Sequence, residues 1–169
     1  MRVPARGAVS LNAVETSRAR SPALRDRLAF VQHGDFFEGT VLENLTLGRV
    51  GVTTADARAA LQRVGLLEEL RAVPGGLDAR LTHDGAPLTH SQLVRLLVAR
   101  ALAGSPRLIV MQESLESLEP AARALCVSAL TRPGAPWTLV ALVTDPSAAL
   151  ARACERTISL PRPAGDVAA

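Results

Sequence analysis

The sequence contains no lysine and no tyrosine in 169 residues, and its other aromatics are three phenylalanines and one tryptophan. Stacking platforms for single-stranded nucleic acid have almost no material to be built from. All 19 basic residues are arginine against 16 acidic ones, so the net charge is only +3. The isoelectric point near 10.0 follows from arginine's high pKa rather than from an excess of charge. Arginines spread along the chain read as solvated helix faces, not as a nucleic-acid patch. Cysteine is scarce too. Cys126 and Cys154 have no CxxC spacing and no nearby histidine pair, which excludes a disulfide framework and points to a reduced setting. His33, His83 and His90 show no spacing typical of metal ligands, and no metal site is expected. Long apolar runs are missing: residues 108–111 and 139–143 are far too short to span a bilayer. The first seven residues lack the apolar stretch of a secretory signal, so a cytoplasmic setting is expected.

Nearly half the residues, 48%, are hydrophobic, and the length suits one domain with a core that needs no metal or disulfide. Residues 8–14 read as a short strand, and Ser21-Pro22 as a helix start. Leu28 to Val31 is a buried strand, and Thr40 caps a helix over 41–47. Residues 54–63 place Ala57, Ala60, Leu61 and Val64 on one helical face; Gly65 interrupts, and 66–72 are helical again. Pro74-Gly75-Gly76 opens a loop that runs to Pro87, and Thr89 or Ser91 caps the longest helix, ending at Gly104. The period then changes. Strands at 108–111, 138–143 and 157–160 alternate with helices at 120–130 and 147–154. Continuous apolar strands alternating with helices predict a parallel sheet covered on both faces. An all-helical insertion, about 41–104, separates the first of these strands from the second. Residues 1–160 form one domain by this reading, and 161–169 a flexible tail.

Six segments, in order, resemble one known family. Arg27-Leu-Ala-Phe-Val-Gln32 with Phe37-Glu-Gly-Thr40 and Glu43-Asn44-Leu45 is similar to the glutamine-loop region of ATP-binding-cassette (ABC) transporter ATPases. Pro74-Gly-Gly-Leu-Asp78, then Leu88-Thr-His-Ser-Gln92, Arg95 and Ala99-Arg100-Ala101-Leu102, is similar to the segment carrying their signature motif. Pro106-Arg-Leu-Ile-Val-Met-Gln112-Glu113 resembles the Walker B strand, Ser117-Leu118-Glu119 the loop after it, and Val143-Thr144-Asp145 the switch-histidine loop. The first two regions look most like the exporter branch. The resemblance implies a P-loop NTPase-like α/β fold with an inserted helical subdomain. It also implies a chain that starts after the phosphate loop and lacks that loop's strand.

Carried over residue by residue, the resemblance implies a degenerate site. The family's phosphate loop needs a lysine for the β- and γ-phosphates, and this sequence has none. Gln112 stands where an aspartate helps hold magnesium, and a neutral amide offers a divalent cation little. Glu113 matches the catalytic glutamate by position, as a carboxylate left at a strand end. In the signature motif, Thr89 keeps a hydroxyl and Gln92 is retained, while His90 and Ser91 replace the two glycines that let a γ-phosphate approach. Gln32 is the candidate for the glutamine loop, with His33 the alternative because the match runs one residue short. Asp145 replaces the switch histidine and would repel a phosphate; Glu119 replaces the aspartate after Walker B.

These losses imply a protein that does not hydrolyse ATP alone. It would act by docking to an ABC transporter membrane domain or a complete ATPase subunit, at the inner face of the membrane, with self-association also open. MgATP would be bound only if shared with such a partner. Three other readings stay open: a heteromeric subunit lending residues 88–92 to a partner's site, a binding module of unrelated use, and a non-functional gene fragment.

Overall fold

The computed structural model describes residues 10–11, 14–15, 27–112 and 115–160. In chain order the elements are β1 (Ser10–Leu11), β2 (Val14–Glu15), β3 (Leu28–Val31), β4 (Gly39–Thr40), α1 (Val41–Thr46), α2 (Thr54–Arg63) and α3 (Leu67–Leu70). A short 3-10 turn (Gly76–Asp78) leads to β5 (Arg80–Leu81), α4 (His90–Ala103), β6 (Leu108–Met111), α5 (Pro120–Leu130), β7 (Thr138–Ala141) and α6 (Ala149–Ala153).

The fold is α/β, with a three-stranded parallel sheet in the order β3-β6-β7. The register aligns Ala29 with Ile109 and Leu139, and Val31 with Met111 and Ala141. Alternate residues point to opposite faces of a strand, and these six join the core with α4 and α5. The other face is different. Phe30, Val110 and Val140 lie in register, and Phe30 is 50% exposed and Val140 42%. The expected cover on both faces is therefore seen on one face only among the described residues. Along β7, one edge pairs with β6, and no strand pairs with the other among the described residues.

Between β3 and β6 the chain packs α1, α2 and α3 against α4. Thr40 and Thr53 each begin a helix through a reciprocal capping box, with Glu43 and Asp56 returning the bond. The buried stripe Ala57, Ala60 and Leu61 is the one the period predicts. Gly65 follows at φ +68°, a left-handed turn that glycine takes without strain, and a Cβ there would also displace the end of the Leu125 side chain. Asn44, 1% exposed, spends its whole amide on backbone: Nδ2 donates to the Phe37 and Thr40 carbonyls, and Oδ1 accepts from Phe37 N–H. A residue of the glutamine-loop-like motif thus ties the entering chain to α1.

The structure departs from the sequence reading at several places. The stretch expected to be loop up to Pro87 contains β5, paired antiparallel with β4, so the insertion is not all-helical. Two-residue strands carry too few residues to leave a periodicity. The last strand expected, 157–160, has no ladder partner among the described residues; Ile158 is 67% and Leu160 80% exposed. The helix expected at 147–154 is shorter, Ala149–Ala153, because Asp145 and Ser147 close a turn ahead of it. The strand expected at 8–14 is, where described, β1 and β2 paired antiparallel. The helix start at Ser21-Pro22, the tail 161–169 and Glu113 lie outside the described residues.

Candidate functional site

The three parallel strands end side by side. Gln32 follows β3, and Gln112 follows β6, its N–H donating to Val31 O at 2.8 Å. Beyond β7, Leu142 N–H donates to Met111 O at 2.8 Å and leads to Asp145. Gln32, Gln112 and the 142–145 segment therefore share the carboxyl edge of the sheet, the edge at which open α/β sheets bind ligands. Gln32, Gln112 and Asp145 are all exposed.

Asp145 is not a bare carboxylate. Its Oδ1 accepts from Ser147 N–H at 2.8 Å and its Oδ2 from Ser147 Oγ at 2.7 Å. These bonds, the side-chain one foremost, hold its pKa below the usual aspartate value. At neutral pH the position presents a fixed negative charge.

The second part of the site is the start of α4. Thr89 is the N-cap: its Oγ1 accepts from Gln92 N–H at 3.3 Å, and Gln92 Oε1 accepts from Thr89 N–H at 3.0 Å. Of the two capping residues the sequence offers, Thr89 is therefore the one used, and Ser91 lies within the first turn. Gln92 also donates from Nε2 to Glu69 Oε2 at 3.1 Å. Both ends of its amide are occupied within the fold, while the Thr89 hydroxyl proton is left to donate elsewhere.

Glu69 is the residue that sequence reasoning missed. It faces Arg95 in a two-pronged pair, Nη1 to Oε1 at 2.6 Å and Nη2 to Oε2 at 2.7 Å. Arg95 is buried to 5% exposure and also donates to the carbonyls of Gly65 and Ser91. An arginine set between Val94 and Leu96 in an apolar helix is the signal that could have prompted a search for its carboxylate. The second buried arginine of α4, Arg100, pairs with Asp35 in the turn after β3, and its carbonyl accepts from Arg49 Nη2. Here the two candidate regions meet. The imidazoles of His33 and His90 stand with ring centroids 5.6 Å apart, over a small cleft floored by Phe36, Leu93, Val94 and Leu97. No group of three or more His, Cys, Asp or Glu residues that could hold a metal ion occurs among the described residues. Cys126 is buried, its thiol pushed up to about 12 by desolvation, and is not a nucleophile at neutral pH.

The Glu69 carboxyl is held below its usual value, first by hydrogen bonds from Arg95, against an opposing effect of burial. A lowered folded pKa contributes stability above the unfolded value of 4.5 that is lost as pH falls through the folded one. Urea unfolding should show stability that is level from pH 7 down to about 5 and then falls, and Glu69→Gln should make that acid limb shallower.

No protein-family model matches the chain. It is 31% identical over 143 residues to an ABC multidrug transporter of Trichophyton tonsurans, covering 82% of this chain and 10% of the relative. The transport/processing ATP-binding protein ComA of Streptococcus pneumoniae is 31% identical over 118 residues, 69% of this chain and 16% of the relative. An ABC transporter ATP-binding protein, YwjA, of Bacillus subtilis is 28% identical over 125 residues, 73% of this chain and 22% of the relative. The chain thus spans a small part of each relative's length. Among solved structures, a bacterial Atm1-family ABC exporter with ATP bound matches with a TM-score of 0.74 and 20% identity, over 83% of this chain and 25% of that one. No helix among the described residues is long and apolar enough to cross a membrane.

Proposed function

We propose that this chain, a member of the ABC transporter family by its likeness to those ATP-binding proteins, does not hydrolyse ATP alone and acts by docking to a transporter or ATPase partner. The observation that carries the reading is the charge of the site. At the carboxyl edge of the sheet stand a neutral amide, Gln112, and a carboxylate, Asp145, kept ionised by Ser147. No lysine exists in these 169 residues to answer a phosphate. Phosphoryl transfer rests on positioning and charge stabilisation, and one lost contact of this kind costs roughly three orders of magnitude in rate. The residues present do not fit MgATP held by one chain, and no catalytic step is assigned to Glu113.

One observation favours a second reading, a half-site lent to a partner. The N-terminus of α4, a helix of 14 residues, is exposed at Thr89 and His90, and the Thr89 hydroxyl proton is uncommitted. Co-expression with an ABC subunit that has a complete phosphate loop separates the two. In a shared site, His90→Gly with Ser91→Gly relieves crowding and raises the partner's ATPase rate, and Thr89→Ala lowers it. In a docking module those variants leave the rate alone, while Glu38→Arg, beside the glutamine-loop turn, weakens pull-down of the partner. Absence of any complex, with any subunit tried, would contradict both readings.

A further inference from the structure

The fold joins two histidines that sequence spacing keeps apart. His33 sits in the turn after β3 and His90 is the first residue of α4, and both are exposed. Their ring centroids are 5.6 Å apart with planes tilted by 45°. Two imidazoles that ligate one ion through Zn–N bonds of about 2.0–2.1 Å place their centroids on the order of 5–6 Å apart. The cleft beneath them has a free volume of about 20 Å³. That is room for one ion or water and none for a nucleotide. Its remaining lining is Gly34, whose carbonyl accepts from Phe36 N–H at 2.9 Å, and the apolar side chains of Phe36, Leu93, Val94 and Leu97, none of which brings a side-chain oxygen. Asp35, in the same turn, is engaged by Arg100.

We propose that His33 and His90 form a two-imidazole site for one divalent transition-metal ion, with its other positions open to water or an added ligand. Imidazole nitrogen selects the zinc, nickel and copper class over magnesium and calcium, which take oxygen donors. Among the described residues the pair is incomplete as a structural zinc site, which closes with four protein ligands. It is therefore an exchangeable site, and the partial positive charge of the α4 N-terminus weakens it further without abolishing it. When filled, it clamps the glutamine-loop-like turn to the start of the signature-like helix, and it stabilises the folded chain by mass action. The site stands apart from the proposed loss of ATPase activity and is tested without nucleotide.

The test is a calorimetric titration of the whole chain with ZnCl₂, followed in parallel by the imidazole proton resonances. Only three histidines exist, so each resonance can be assigned by substitution. The expected result is saturable one-to-one binding in which the His33 and His90 resonances move together and His83 stays. His33→Ala and His90→Gln should each weaken binding about tenfold or more, a loss typical of impaired metal sites. His83→Ala and Cys154→Ser should leave it unchanged. Circular dichroism checks that the variants fold, as substitutions at exposed positions should. Zinc bound as tightly after loss of either His33 or His90, or no saturable binding at all, would overturn the proposal.

Discussion

Replacing Glu69 with alanine should destabilise the protein by about 2–3 kcal/mol, read as a shift in the urea midpoint. Removing one partner of a buried ion pair strands the other charge, which costs about 3–5 kcal/mol when both are enclosed. The Arg95 side chain is only 6% exposed, but that of Glu69 is 44% exposed. Solvent around the carboxylate reduces the value of the pair, so the cost falls at or below the bottom of that range. The same substitution removes the acceptor of Gln92 Nε2 and loosens the start of α4. Glu69→Gln, which keeps the shape and one acceptor, should cost less. No loss in Glu69→Gln would mean that the charge has no part in it; equal losses in the two variants would mean that the charge carries the whole effect.

Truncating Leu96 should have an effect at least as large. Leu96 is fully buried at the centre of α4, the helix against which α1 and α2 and the sheet pack. Leu96→Ala should lower stability by roughly 2–5 kcal/mol through lost transfer energy and a residual cavity. Leu125, 45% exposed on α5, is the control, and its truncation should cost well under half as much. A domain of this size holds about 5–15 kcal/mol in total, so Leu96→Ala combined with Glu69→Ala should be partly unfolded at 37 °C.

How much of this was legible in the sequence depends on what leaves a local signal. The helix over 54–63 and the strands at Leu28–Val31 and Leu108–Met111 stand where the hydrophobic period put them. Thr40 and Thr89 declare their helices through a glutamate or glutamine three residues on. The β4–β5 pair is long-range and two residues deep, so nothing local encodes it. The apolar run at 157–160 looked like a strand because period alone cannot tell a run with a ladder partner from one without. Gln32, Gln112 and Asp145 were legible as motif positions, and the parallel register brings them to one edge. The Arg95–Glu69 and Arg100–Asp35 pairs and the approach of His33 to His90 join segments far apart in sequence. Only the fold could supply those.

Whether the isolated chain holds nucleotide is read by calorimetric titration with millimolar MgATP. A fixed carboxylate at Asp145 and an amide at Gln112 stand at the carboxyl edge of the sheet, and these 169 residues hold no lysine to answer a triphosphate. The expected result is no saturable heat and no phosphate release above the buffer control. One-site binding of MgATP to the chain alone would contradict it.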